Sequence, residues 1–332
     1  MIKQVCAQGN QWRRVALAAA TGLMATLAVA PPALANESGA VVEQAPIKAN
    51  KVIQIGMAKA GKRIVSVGER GIVLVSDDDG ATWKAVRTPT TRTLTTVAFA
   101  DDRVGVAVGH GGSVLRTEDA GNTWTQIEVA DAGRDSLLGL TFLGGQDFAA
   151  FGAFGLFIIT NDAGKTWRRM QVVDADFDRH IMGLVPMDGV WFLAAESGNL
   201  ARSKDAGATW EKLKSPYVGS FFGALVAKDG ALIAFGMRGN VWRSTDKGST
   251  WTKIEIGNTI GINGGGVMGD GSIVLVGNVG MVATSHDNGN SFKVAMSPRG
   301  AGFATVVANS KDEPVVAGEA GVALLDSKLL AK

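Results

Sequence analysis

A tandem repeat dominates this sequence. Two glycines separated by two residues, followed by a short β-like run, recur seven times, and in the fourth copy Ala195 replaces the first glycine. The second glycines of successive copies are 41, 43, 43, 41, 41 and 41 residues apart. So constant a period indicates one supersecondary unit repeated along the chain. The second glycines are Gly71, Gly112, Gly155, Gly198, Gly239, Gly280 and Gly321.

A second motif follows each of the first six glycine pairs. Its pattern is Ser/Thr-x-Asp-x-Gly-x-Thr/Ser-Trp/Phe, and its aspartate stands seven residues after the second glycine. Short polar side chains accept hydrogen bonds from nearby amides and glycine allows a positive φ, so the motif predicts a hairpin turn. Calcium binding is the alternative, but each motif offers one or two carboxylates where calcium takes six or more oxygens. The predicted turn aspartates are Asp78, Asp119, Asp162, Asp205, Asp246 and Asp287.

Each period has room for four short antiparallel strands. In the second period we expect them over residues 93–100, 103–108, 113–117 and 123–129, and no amphipathic helical stretch interrupts the repeats. This arrangement is typical of propeller blades. The sequence therefore predicts an all-β, seven-bladed β-propeller, with a six-bladed ring and an appended seventh repeat as the alternative.

The seventh repeat is incomplete. Lys328 occupies the position of a seventh turn aspartate, and residues 303–309, 314–317 and 322–325 supply only three strands. Because an unpaired outer edge favours aggregation, we expect residues 41–48 to add the fourth strand, so that an N-terminal strand closes the last blade. The alternative is that residues 41–48 are a linker.

The first 35 residues have the features of an export signal. Lys3, Arg13 and Arg14 form a basic start, residues 15–30 are mostly apolar, and Ala-Leu-Ala at 33–35 offers a cleavage site. A retained membrane anchor is the alternative, but the apolar core is shorter than the roughly 20 residues of a spanning helix. The adjacent arginines leave twin-arginine export open beside general secretion.

These features divide the chain into three parts. Residues 1–35 are predicted to be an export signal peptide, residues 36–49 an N-terminal segment with the possible closing strand, and residues 50–332 the propeller. We therefore expect a soluble protein that is periplasmic or otherwise exported.

Composition excludes several kinds of chemistry. The single cysteine, Cys6, lies in the predicted signal, so the processed chain has no disulfide, no disulfide-linked partner and no thiolate metal site. The chain has 33 basic and 31 acidic residues, and three of the basic ones lie in the predicted signal, so the processed chain has a formal charge of −1. This charge disfavours nucleic-acid binding. The three histidines lie in different repeats and no phosphate-binding loop is present, so we expect no metal and no cofactor.

The combined repeats carry a family resemblance. Gly-x-x-Gly followed by Asp-x-Gly-x-Thr-Trp resembles the BNR/Asp-box repeats, and with an export signal it resembles the photosystem II assembly and stability factor family of cyanobacteria and chloroplasts and its bacterial relatives. The resemblance spans residues from about 50 to 326. It implies a non-enzymatic, exported propeller that binds membrane proteins or their precursors during assembly. In non-photosynthetic relatives the implied partner is another envelope complex, for instance a transporter.

Two other functions are compatible with Asp-box repeats, which are scaffold elements of several protein classes. A glycoside hydrolase of the sialidase type needs a tyrosine nucleophile, but Tyr217 is the only tyrosine and the arginine-isoleucine-proline segment of sialidases is absent. A receptor-like, ligand-binding propeller is the other alternative, which partner capture distinguishes from an assembly role.

The variable loops suggest where a partner binds. Turns between the second and third strands of each blade emerge on one face, together with the loops that connect successive blades, whereas the Asp-boxes emerge on the other. Large apolar residues at loop tips either fold back or form an exposed patch, and we expect Phe221 and Phe222 to fold back. Aromatic and arginine residues supply most binding energy at interfaces. We therefore predict a partner-binding surface over the third and fourth repeats, formed by Phe154, Phe177, Tyr217, Arg134 and Arg179.

Overall fold

The computed structural model describes residues 47–330, which form 27 strands in seven sheets. Six sheets contain four antiparallel strands in chain order and one contains three. The first strands of all seven sheets line a common central cavity. The prediction of a seven-bladed β-propeller is therefore confirmed, and the six-bladed alternative is wrong.

Each repeat forms one blade. Blade 1 contains β1 (Gln54–Ala60), β2 (Arg63–Gly68), β3 (Ile72–Ser76) and β4 (Lys84–Arg87). Blade 2 contains β5 (Leu94–Phe99), β6 (Gly105–Gly109), β7 (Val114–Thr117) and β8 (Thr125–Gln126). Blade 3 contains β9 (Leu137–Gly144), β10 (Asp147–Gly152), β11 (Phe157–Thr160) and β12 (Arg168–Arg169). Blade 4 contains β13 (Ile181–Met187), β14 (Val190–Ala195), β15 (Leu200–Ser203) and β16 (Glu211–Leu213).

The remaining three blades follow the same order. Blade 5 contains β17 (Phe221–Val226), β18 (Leu232–Gly236), β19 (Val241–Ser244) and β20 (Thr252–Ile254). Blade 6 contains β21 (Ile262–Val267), β22 (Ile273–Gly277), β23 (Met281–Ser285) and β24 (Lys293–Met296). Blade 7 contains β25 (Phe303–Ala308), β26 (Pro314–Gly318) and β27 (Gly321–Leu324).

Helical structure within residues 47–330 consists of short 3₁₀ turns. None of these helices is long and apolar enough to cross a membrane. The turns are Ala49–Lys51, Glu69–Gly71, His110–Gly112, Ala130–Ala132, Ala153–Gly155, Glu196–Gly198, Met237–Gly239, Asn278–Gly280 and Ser327–Leu329.

The hydrophobic core lies between neighbouring blades. Strands β6, β18, β22 and β26 are buried along their whole length. Between blades 1 and 2, for example, Val65 and Val73 pack in one cluster with Val97 and Leu115. The second strand of a blade is enclosed on both faces in this arrangement, which explains its nearly continuous apolar sequence.

The outer strand of a blade is shorter than the sequence suggested. In blade 2 it covers Thr125–Gln126, where we expected residues 123–129. Both residues are exposed, and this strand pairs with β7 on one side only. An outer strand has little apolar surface to bury, so burial contributes little free energy to a longer strand.

The closing strand of blade 7 stays a prediction. Residues 41–46 lie outside the described residues, as does the predicted signal peptide, and within the described range blade 7 has three strands. Ile47 and Lys48 are irregular and precede a 3₁₀ turn. Blades 7 and 1 nevertheless share a core in which Val315 and Val322 pack with Ile64 and Leu74, so the ring closes.

The six Asp-boxes form identical turns. In the first, the Asp78 carboxylate accepts hydrogen bonds from the backbone amide of Thr82 at 2.8 Å, from its hydroxyl at 2.6 Å and from the Ser76 hydroxyl at 2.9 Å. The Ser76 hydroxyl also accepts from the Gly80 amide at 2.9 Å. The same four bonds recur at Asp119, Asp162, Asp205, Asp246 and Asp287.

These bonds favour the ionised carboxylates. Hydrogen bonds from Thr209 and then Ser203 lower the pKa of Asp205 to about 2. For Asp162, burial raises the pKa, but hydrogen bonds from Thr160 and Thr166 outweigh it and the pKa falls to about 2. The carboxylate oxygens are thus occupied by protein donors within their own turns.

Five of the blades donate a side-chain hydrogen bond to the Asp-box of the next blade. The residue after the box aspartate has a positive φ, and its carbonyl accepts a side-chain hydrogen bond from the preceding blade. Four of these donors are arginines. The donor and acceptor pairs are Arg63 with Ala120, Arg116 with Ala163, Arg202 with Lys247, Arg243 with Asn288, and Asn309 with Asp79.

Candidate partner-binding surface

Seven turns between second and third strands gather at one end of the ring. We call this end, with the loops that connect successive blades, the turn face. The second glycine of each turn packs closely against the neighbouring inter-blade segment, and in six of the seven copies a Cβ would collide with its backbone. In the first, third and fourth copies, Gly71 meets the Thr90 carbonyl, Gly155 that of Phe177 and Gly198 that of Tyr217. The repeated glycine therefore joins each turn to the next loop.

Phe154 stands at the tip of the third turn. It adopts a left-handed conformation with φ 52°, and 60% of its surface is exposed. The edge of its ring meets His180, with centroids 5.0 Å apart. Nδ1 of His180 lies 3.5 Å from the Glu196 carboxylate. Neighbouring groups thus hold an exposed aromatic ring at the surface.

Arg179 belongs to the same unit as Phe154. The Gly155 amide donates to the Arg179 carbonyl at 2.9 Å, which joins the third turn to the loop entering blade 4. The Arg179 side chain is half-exposed and lies 3.4 Å from Asp178. Arg134 is exposed on the preceding inter-blade loop. The structure therefore places both arginines on the turn face.

The other two predicted anchors lie deeper. Phe177 is half-buried against the core of blades 3 and 4 and lines a cavity of about 120 Å³. Tyr217 is also half-buried, and its ring edge meets the ring of Phe221 at 5.9 Å. Phe221 is fully buried, as expected, and Phe222 is half-buried at the central cavity. Partner binding by the five predicted residues stays a prediction.

Sequence reasoning left four aliphatic residues of the turn face out of the predicted partner-binding surface. It chose aromatic and arginine side chains, and therefore gave no weight to Met237 or Val279, which occupy the positions of Glu69 and Arg70 in the first turn. Five of the eight exposed large hydrophobic residues within 47–330 lie on this face. They are Phe154 and the four that we call the aliphatic tips: Ile53, Val218, Met237 and Val279.

Charge divides the turn face into two sides. The loops entering blades 3 and 4 form an acidic side, in which the aspartates outnumber Arg134 and Arg179. These aspartates are Asp131, Asp135, Asp174, Asp176 and Asp178. The Lys212 side chain, 2.5 Å away, lowers the pKa of Asp174. The remainder, from blade 5 through blade 7 to the loop entering blade 2, forms a basic side with Lys48, Lys51, Arg70, Arg92, Arg238 and Arg299.

The described residues that line the central cavity include no Asp, Glu, His, Lys, Arg or Tyr. The cavity has a volume of about 590 Å³, and its lining within the described range is glycine, aliphatic, aromatic, threonine and asparagine. Some polar side chains bridge neighbouring first strands: the Thr141 hydroxyl donates to the Leu184 carbonyl at 2.8 Å, and the Asn263 amide to that of Phe303 at 2.9 Å. Tyr217 is not among the lining residues.

A comparison with known protein families shows the family to which this chain belongs. The family model of the photosynthesis system II assembly factor YCF48 matches residues 75–328. The chain belongs to the YCF48 family. No curated protein sequence matches this chain.

Solved structures agree on the fold of this YCF48-family chain. YCF48 bound to a D1 peptide is 17% identical with a TM-score of 0.68, and the match covers 85% of this chain and 95% of that one. YCF48 from Cyanidioschyzon merolae is 14% identical with a TM-score of 0.68, covering 85% and 98%. The WD40 propeller domain of Doa1 is 13% identical, again with a TM-score of 0.68, covering 86% and 98%. At such identities the likeness shows the fold alone.

The histidines of this YCF48-family propeller do not converge. His110 and His180 lie on the turn face in different blades, and His286 lies within an Asp-box. In the part of the chain that the structure describes, no three His, Cys, Asp or Glu side chains form a group that could hold a metal ion.

Proposed function

We propose that this protein is an exported, non-enzymatic adaptor whose turn face docks an envelope membrane protein, or a complex such as a transporter, during its assembly or stabilisation. Membership of the YCF48 family supports an assembly role. A similar structure contains YCF48 bound to a D1 peptide, which supports peptide or protein recognition by this fold. The export and location outside the cytoplasm rest on residues 1–35.

The exposure of Phe154 carries the proposal. An aromatic ring left in water contributes no burial energy. Phe154 is 60% exposed, yet contacts with His180 and the Arg179 loop hold it in place. Its positive φ is shared by Arg70, Ser197, Arg238 and Val279 in the corresponding turns and therefore belongs to the scaffold. An exposed, positioned aromatic ring beside an arginine has the composition of an interface anchor.

The half-buried aromatics have a supporting role in this proposal. Phe177 lies beneath the loop that presents Arg179, so its ring positions that loop. Tyr217 rests on Phe221, and a Cβ on Gly219 would collide with its hydroxyl. Within residues 47–330, no carboxylate forms a hydrogen bond with the tyrosine of the kind that a sialidase nucleophile requires.

Affinity capture from detergent-solubilised envelope membranes tests the proposal. We expect the tagged wild-type chain to retain an integral membrane protein, and the triple variant Phe154→Ala, Phe177→Ala, Arg179→Ala to lose it. Because Phe177 is half-buried, the single variant Phe154→Ala is tested beside the triple variant, and melting curves verify that both are folded. Tyr217→Phe and the Asp-box-face variant Lys204→Ala are controls that should retain the partner.

Two results would overturn the adaptor assignment. One is undiminished capture by the folded triple variant. The other is a glycosidase activity of the wild-type protein that disappears in Tyr217→Phe.

A further inference from the structure

The aliphatic tips are spread around the turn face. Met237 and Val279 stand in the turns of blades 5 and 6, whereas Val218 and Ile53 stand in the segments that enter blades 5 and 1. Val218 is 90% exposed and Val279 52%. Val218 and Met237 are neighbours at blade 5, where the Met237 amide donates to the Ser220 carbonyl at 3.1 Å, whereas Val279 and Ile53 belong to blades 6 and 1. The four tips line no common cavity. Aliphatic contacts at three places on one end of a rigid ring suit a broad, flat partner better than a ligand that fills a pocket.

Basic side chains accompany these tips. Arg238 follows Met237 in the same turn. Arg299 lies in the loop that packs on Gly280, and Gly280 is the residue directly after Val279. Arg70 and Lys51 flank the part of the face that holds Ile53. None of these four basic groups forms an ion pair with another described residue.

The carboxylates of this side are directed at the backbone. Glu69 accepts a hydrogen bond from the Ile53 amide at 3.1 Å, and Glu319 accepts one from the Gly302 amide at 2.8 Å. Both carboxylates keep their charge and Glu319 is exposed, but the basic residues of this side outnumber them. This part of the turn face therefore presents positive charge to solvent.

The opposite end of the ring is acidic. It carries the six box aspartates, and the neighbouring turns add Asp101, Asp102, Asp270 and Asp312, which form no ion pair with another described residue. Other carboxylates of this end, Asp77, Glu118 and Asp188, pair with Arg63, Arg116 and Lys247. An anionic surface repels this end and attracts the basic side of the turn face. The charge distribution thus orients the propeller before any contact forms.

We propose that the basic side of the turn face docks on a lipid bilayer that contains anionic headgroups. The aliphatic tips enter the boundary between headgroups and acyl chains, and the arginine and lysine side chains bind the headgroups. A protein hot spot, in contrast, requires anchors clustered in one desolvated centre, which these separate tips do not provide. The basic groups, Ile53, Met237 and Val279 lie apart from Phe154 and the acidic side, and among the tips Val218 alone adjoins a predicted partner-binding residue, Tyr217. The inference therefore does not depend on the proposed protein partner.

Co-sedimentation with vesicles tests this docking surface. The full chain is mixed with vesicles of 30% phosphatidylglycerol in phosphatidylcholine and with vesicles of pure phosphatidylcholine. Each basic side chain near such a surface strengthens binding by roughly fivefold. We therefore expect at least tenfold stronger binding to the anionic vesicles, and a marked loss of that preference at high salt.

Two paired variants locate the contact. Arg238→Glu with Arg299→Glu should weaken binding to anionic vesicles at least twentyfold, and Val218→Asp with Val279→Asp should weaken it severalfold at any salt concentration. Aspartate tolerates the left-handed conformation of Val279, where φ is 50°, so the second pair should remain folded. Lys62→Glu with Lys204→Glu, on the Asp-box face, is the matched charge control and should bind like wild type.

Every variant carries the same residues 1–46, so any binding by that segment is constant across the comparison. The inference is overturned if the wild-type chain shows no preference for anionic vesicles, or if the control pair loses as much binding as Arg238→Glu with Arg299→Glu. It is also overturned if the chain binds only vesicles that contain a membrane protein, since the surface would then be a protein interface. The variant Phe154→Ala, which tests the adaptor proposal, should retain vesicle binding.

Discussion

The side-chain amide of Asn309 in blade 7 donates a hydrogen bond to the Asp79 carbonyl in blade 1 at 3.1 Å. This bond connects residues 230 positions apart and joins the last blade to the first on the Asp-box face. Asn309 is buried, and it also donates to Glu313 while its own oxygen accepts from the amides of Lys311 and Glu313. It takes the place that an arginine occupies between blades 1 and 2, 2 and 3, 4 and 5, and 5 and 6.

Replacing Asn309 by alanine should weaken the closure of the ring. The change leaves the Asp79 carbonyl and the amides of Lys311 and Glu313 without their side-chain partner, which costs about 2 to 3 kcal/mol of unfolding free energy. Urea denaturation followed by tryptophan fluorescence measures this loss. Asn161→Ala, at an exposed position, should change the free energy by less than about 0.5 kcal/mol. Equal effects of the two substitutions would show that Asn309 has no special role in closure.

Removing one box carboxylate should destabilise the fold without affecting partner choice. Asp162→Ala removes the acceptor of the Thr166 and Lys165 amides, and we expect a loss of about 1 to 2 kcal/mol because the turn is partly open to water. Partner capture by the folded variant should be unchanged.

Chelation distinguishes the turn role from calcium binding. The box oxygens already accept hydrogen bonds from protein groups, so EDTA should leave the melting temperature of the wild-type protein unchanged. A fall of several degrees that calcium reverses would favour a metal role for the boxes.

Acid should destabilise the propeller over a defined range. The pKa of Asp205 falls from its ordinary 3.8 to about 2 on folding, and hydrogen bonds within the boxes lower the pKa of the other five aspartates as well. A lowered folded-state pKa stabilises the protein above the unfolded value, and this stability disappears as the pH falls from about 4 towards 2. The urea midpoint should therefore decrease steadily between pH 4 and pH 2.

The variant Asp205→Asn checks the source of that acid sensitivity. It removes one titrating box group while retaining a similar shape, so its midpoint should depend less steeply on pH below 4 than that of wild type. A wild-type midpoint that is constant between pH 5 and pH 2 would contradict the account.

The arrangement of the blades was predictable because its determinants are local and repeated. Each second glycine must lack a Cβ where the next loop crosses it, and each box aspartate bonds to residues two to four positions away. The glycine marks the sequence once in every blade, and the aspartate once in each of the first six. Their spacing therefore predicts the number of blades and the face on which each turn emerges.

The details of the surface were not predictable in the same way. Tyr217 packs on Phe221 whereas its neighbour Val218 is exposed, and which of two adjacent residues turns inward depends on the path of one irregular loop. The bond between Asn309 and Asp79 joins unrelated sequence motifs across the whole chain. Such contacts depend on packing between distant segments and leave no periodic pattern in the sequence.

Photo-crosslinking inside the producing cell tests the adaptor account most directly. A photoreactive phenylalanine analogue is placed at Phe154 on the turn face and, as a matched control, at Lys204 on the Asp-box face. The account predicts a crosslink from position 154 to an integral envelope membrane protein and none from position 204. No crosslink from position 154, or the same crosslink from both positions, would contradict it.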